Sequence, residues 1–301
     1  MRCVKIYMGI GLGDTEMTIK KMVCKAAGKI IMTVFIIFVL LLSILLVFCF
    51  NFFVKTYLTK GQYNKLIVKN RYCYLSVAAD RLVFLSEAEK PVGEYPFEGK
   101  KLVSFCVSDM DGDGSDEVLL LLSDKAADCG EDLKILSWDG SGSIKELYKA
   151  DFSKLKPWKV QTADVDGDKK KEISLGVFKT ATFDPVAAKR PFIYNWSPGG
   201  LSPKWLGSRL SRPFGDYIFK DINNDKKDEL VALEQTPDKK KLINSYVWKG
   251  FGFEGYAESD VFEDICNLSQ SGNAISASVK IRGKFKRASF ELAGNRLKII
   301  Y

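Results

Sequence analysis

The chain contains no histidine. That absence excludes Ser-His-Asp triads, imidazole general bases and histidine metal ligands. No G-x-S-x-G elbow and no Walker-type phosphate loop occurs in the 301 residues, which removes two common footings for catalysis. An overall excess of positive charge is also missing from most of the chain. Of the net +8, residues 1–29 carry +4 and residues 54–71 carry +5, which leaves −1 for residues 72–301. The sequence pI of about 8.9 is therefore a property of two short basic stretches, and nucleic-acid binding by the remainder is not implied. Cysteine is sparse: Cys73, Cys106, Cys129 and Cys266 follow the basic stretches. Four cysteines allow three pairings, and small buried thiols are an equal alternative.

Between the basic stretches, residues 30–53 run for 24 residues without a charge. A helix of that length spans roughly 36 Å, enough for a bilayer core of about 30 Å. No small-residue cleavage site follows, as a signal peptide would require. The expected organisation is a basic tail over 1–29, a transmembrane helix over 30–53, a basic juxtamembrane stalk over 54–71 and a folded domain over 72–301. Anionic lipid headgroups are the expected partners of the basic flanks. Met17 opens a stretch that could serve as a start in its own right, so no function is placed on residues 1–16.

The folded part carries an acidic motif three times. "DMDGDGSDE" begins at Asp109, "DVDGDKKKE" at Asp164 and "DINNDKKDE" at Asp221, 55 and 57 residues apart. The first places five acids within nine residues, a crowding that favours a positive charge in their midst. Ligand candidates fall at positions 1, 3, 5 and 9: Asp109, Asp111, Asp113 and Glu117; Asp164, Asp166, Asp168 and Glu172; Asp221, Asn223, Asp225 and Glu229. Hard cations such as Ca²⁺ take about six to eight oxygen ligands. An EF-hand would need Glu at position 12, where Leu120 stands in the first loop. Charge count ranks the loops for cation affinity as first, second, third.

Each loop lies between short apolar runs that read as strands, and a tryptophan (Trp138, Trp196, Trp248) recurs before a glycine-containing turn downstream. Four runs per unit, with a partial unit before and a loop-less unit after, predict an all-β chain: a β-propeller-like array of about five four-stranded blades behind one N-terminal transmembrane helix. The tryptophans are expected to pack between blades, with stacking on a sugar as the alternative.

The loops and their flanking strands resemble the FG-GAP or VCBS-type repeat of integrin α-subunit propellers and many exported bacterial proteins. The resemblance covers three loops and about residues 101–257. It implies up to three Ca²⁺ sites on the residues above, with the main-chain carbonyls of Ser115, Lys170 and Lys227 contributing. Lys169 and Lys226 depart from the glycine expected at position 6. The resulting expectation is a single-pass cell-membrane protein with its C-terminal domain outside the cell. There it would act as a calcium-binding adhesion module for a protein or glycan partner, without catalytic activity. A polysaccharide-processing enzyme or a structural envelope component is the alternative.

Overall fold

The computed structural model describes Met32 and residues 64–300, apart from 182, 183, 208, 272 and 273. The chain divides into two compact units, Met1–Gln62 and Tyr63–Tyr301. The second is all-β. Its strands follow the apolar runs closely because period-two alternation gives each strand a face to bury.

The first sheet is an antiparallel meander of β1 (Asn64–Val68), β2 (Arg71–Val77), β3 (Arg81–Leu85) and β4 (Pro91–Pro96). β1 falls inside the stretch expected as a basic stalk. Leu66 and Val68 are buried while Lys65 and Ile67 are exposed, so a strand pattern runs beneath the lysines. A second meander holds β5 (Lys101–Ser108), β6 (Glu117–Ser123), β7 (Asp132–Trp138) and β8 (Ile144–Asp151). The third holds β9 (Pro157–Ala163), β10 (Glu172–Ala181), β11 (Asp184–Ser197) and β12 (Gly200–Leu206).

The last eight strands form one sheet. β13 (Phe214–Lys220), β14 (Glu229–Gln235), β15 (Lys241–Trp248) and β16 (Phe253–Glu258) make one half. β17 (Ile265–Ser271), β18 (Ala274–Ile281), β19 (Lys284–Ala293) and β20 (Arg296–Ile300) make the other. The halves join where β16 and β20 pair in parallel at Glu258 and Arg296. At the opposite side, the Gln270 side-chain amide on β17 donates to the Phe219 carbonyl on β13. The result is a nearly closed eight-stranded barrel around one core, to which Val231, Ile243, Ile265, Val279 and Phe290 all contribute.

This arrangement corrects the expected propeller. Three open four-stranded sheets and one eight-stranded barrel are not a radial set of uniform blades. The reason is the seam between β16 and β20: two outer edge strands, which a blade leaves free, pair with each other. Edge pairing satisfies backbone groups that a free edge exposes, and nothing in the local apolar pattern announces it.

Among the described residues no helix is long and apolar enough to cross a membrane. The described residues therefore give no support to the expected membrane-anchored, lipid-contacting protein with its C-terminal domain outside the cell. The span expected at 30–53 lies, apart from Met32, outside the described residues.

Two central strands, β6 and β14, each serve two cores. Along β6, Val118, Leu120 and Leu122 face a cluster with Leu66, Phe84 and Trp138, while Leu119 and Leu121 face one with Ile173 and Leu175. β14 behaves likewise, with Leu230 and Ala232 on one side and Val231 and Leu233 on the other. Burial on both faces explains why the apolar run of β6 does not alternate. The three tryptophans pack inward. Trp138 is buried with its ring centroid 5.0 Å from Phe84, Trp196 lies 5.6 Å from Tyr148 and Trp248 lies 5.3 Å from Phe253.

Phe290→Ala should cost about 3–5 kcal/mol, as for large aromatic truncations in a core. If the barrel shares one core, urea unfolding of this variant stays a single transition for both halves. Two transitions, only one of them shifted, would contradict the shared core.

Candidate metal centre

The acidic loops join β5 to β6, β9 to β10 and β13 to β14. All three close through the same set of side-chain to main-chain hydrogen bonds. In the first, Asp109 accepts the amides of Gly112 (2.7 Å) and Gly114 (3.0 Å). In the second, Asp164 accepts those of Gly167 (2.7 Å) and Lys169 (2.9 Å). In the third, Asp221 accepts those of Asn224 (2.6 Å) and Lys226 (3.0 Å). The glutamate at position 9 turns back to the amide at position 2: Glu117 to Met110 (2.9 Å), Glu172 to Val165 (3.0 Å) and Glu229 to Ile222 (3.0 Å). Charge-assisted bonds of this kind are stronger than neutral ones, and they turn the carboxylates toward one another.

Such a closure needs left-handed backbone at positions 4 and 6. Gly112 and Gly114 supply it in the first loop, with φ of 79° and 84°. Lys169 (φ 69°) and Lys226 (φ 70°) adopt it without the glycine that would make it easy.

Two trios of carboxylate oxygens converge within 4.8 Å: Asp109, Asp111 and Glu117 in the first loop, and Asp164, Asp166 and Glu172 in the second. Oxygens placed this closely could chelate a metal ion. Asp113 and Asp168 stand outside these trios. Their carboxylates accept the amides of Ser115 (2.7 Å) and Lys170 (2.8 Å), two of the residues expected to offer carbonyls. Asp225 does the same for Lys227 (2.9 Å). The third loop forms no such trio among the described residues. The Asn223 side-chain amide instead bridges Asp225 and Glu229, at 3.2 Å each.

Burial and repulsion raise the position-9 carboxyls. Glu117 is pushed up to about 7, by burial first and then by Asp111, Asp113 and Asp109. Glu229 is pushed up to about 7, again by burial and then by its neighbouring aspartates. Burial raises Glu172 too, but the Lys204 ammonium opposes it.

Lys204, Asp116 and Asp228 were not among the ligand candidates, and each takes part in the loops. Lys204, on β12, reaches Asp166 and Glu172, the latter at 2.5 Å. Asp116 exchanges hydrogen bonds with the main chain of Ile67, at 2.6 and 2.7 Å, tying the first loop to the first sheet. Asp228 does the same with Asp164, at 2.9 and 2.7 Å, tying the third loop to the second. An acid at position 8 is thus a fastener between successive sheets. The second loop has Lys171 there, and its ammonium pairs with Asp228 at 3.1 Å.

No family model matches the chain, and no curated protein matches it. The resemblance to FG-GAP and VCBS-type repeats is corrected by the sheet order given above, because the strands do not form the propeller that the family implies.

Two predictions follow from the loop geometry. Lys226→Gly should stabilise the chain by about 0.5–1 kcal/mol, since glycine relieves a left-handed cost of about 1–2 kcal/mol and returns part of it as chain entropy. A lower urea midpoint would contradict the assigned backbone. The second concerns pH. The folded chain binds the Glu117 proton more tightly than the unfolded chain, whose carboxyl titrates near 4.5. Its stabilising contribution is therefore complete below about 4.5 and is lost as pH rises through about 7. In chelator, Glu117→Gln should gain stability relative to the native chain across that window, because its amide oxygen still accepts the Met110 amide. A difference that does not vary with pH would contradict the raised value.

Proposed function

We propose that this chain is a structural component, a β-sheet scaffold without catalytic activity that is locked by a divalent cation in its first loop, with calcium as the preferred ion. The observation that carries the reading is the environment of the first trio. Asp109, Asp111 and Glu117 converge, and no basic side chain is paired with any of the loop's five acids among the described residues. The donor set consists of oxygens alone. Such ligands suit a hard cation, and a loop built from main-chain turns tolerates the irregular shell of Ca²⁺ better than the strict octahedron of Mg²⁺. The role follows from position. The loop begins where β5 ends and stops where β6, the most buried strand, begins, and Asp116 fastens it to the first sheet. A cation there would tie two sheets at the point where repulsion is greatest.

The test is thermal unfolding of the full chain with calcium and with chelator. A ligand at 100 times its Kd adds about 2.7 kcal/mol to a site that exists only in the folded state, and Tm should rise by several degrees. Asp111→Asn should abolish the increment, and Mg²⁺ should give less of it. Equal Tm with and without calcium would overturn the reading.

A further inference from the structure

The second, third and barrel-forming sheets share an irregularity in the register between their third and fourth strands. Between β7 and β8, Ile135 pairs with Tyr148 and Leu136 with Glu146, so Leu147 is left over. Between β11 and β12, Ile193 pairs with Trp205 and Tyr194 with Pro203, which leaves Lys204. Between β15 and β16, Ser245 pairs with Ala257 and Tyr246 with Gly255, which leaves Tyr256. A bulge re-aims one side chain relative to the ladder, and the same bulge recurs in the same place. Leu147 and Tyr256 pack against the apolar cores. Lys204 carries a charge, and its ammonium lies between Asp166 and Glu172.

The ammonium therefore stands where the second trio converges. It engages one oxygen of each of two carboxylates, while the other Glu172 oxygen keeps the Val165 amide and Asp164 keeps its two amides. The side chain is 13% exposed, and its Nζ lies 6.0 Å from the centroid of the Trp248 ring. A divalent ion entering the same oxygens would meet this tethered positive charge at close range.

We propose that Lys204 is a built-in substitute for the metal, so that the second loop is held by its own ammonium and does not load calcium in the native chain. The inference rests on reading such trios as cation sites, as proposed for the first loop, and it assigns the difference between two nearly identical loops to one side chain 32 residues beyond Glu172. Metal dependence is then confined to the first loop, whose sheet carries Leu147 at the bulge and whose acids have no bridging amide like that of Asn223 in the third, and the second loop stays closed whatever the calcium level.

Calorimetric titration of the full chain with calcium alone tests this. Asp166→Asn should leave the number of sites unchanged. Lys204→Met should gain one site over the native chain, and Lys204→Met combined with Asp166→Asn should lose it again. Loss of a site in Asp166→Asn, or no gain in Lys204→Met, would overturn the proposal. The two readings fail separately: a native chain that binds no calcium while Lys204→Met binds one ion would sink the first-loop site and support the lysine. Should Lys204→Met not fold, Glu172→Gln answers the same question. It should lower Tm equally in calcium and in chelator, whereas a loss seen only in calcium would mean that the loop holds metal.

Discussion

A carboxylate that accepts two main-chain amides is the element on which each loop of this protein is built. Asp109, Asp164 and Asp221 take the amides at positions 4 and 6, and the position-9 glutamates take the amide at position 2. The bonds close a nine-residue turn that lacks backbone partners of its own, which is the usual task of such side chains. They also draw several negative charges together. Folding the hairpin and concentrating the charge are one event, and the charge must be answered locally.

The three loops answer it in different ways. The second brings in the Lys204 ammonium, and the third interposes the Asn223 amide. Among the described residues the first does neither, and its oxygens are those proposed above to take an external cation. In the first and third loops the position-9 carboxyl is driven toward neutrality, the response of a buried acid among like charges. Position 8 sets the loops into the larger assembly through Asp116 and Asp228, so the charge balance of a loop bears on how neighbouring sheets are held.

Much of this was legible in the chain itself. The strands, the repeat spacing and the loop acids are visible because they are local: alternation marks a strand, and Asp at positions 1, 3 and 5 marks a tight turn. What escaped is non-local. Lys204 reaches its carboxylates only because β12 bulges beside β11. Asp116 reads as one more acid of the loop with no role of its own, yet it bonds to Ile67, 49 residues away. The alternation of Leu66 and Val68 was masked by the basic residues around it. The seam between Glu258 and Arg296, which turns two meanders into one barrel, is a meeting of edges that no segment encodes alone. Lys169 and Lys226 show the reverse case, where a local rule favouring glycine yields to the two amides that the first aspartate holds.

The most direct test of this charge balance is anomalous diffraction from crystals of the chain soaked in a calcium-like lanthanide. One peak should lie in the first loop, about 2.3–2.6 Å from oxygens of Asp109, Asp111 and Glu117, with Lys204 still seated between Asp166 and Glu172 in the second. A first loop without a peak, its three carboxylates otherwise arranged as here, would contradict the claim that a cation completes it.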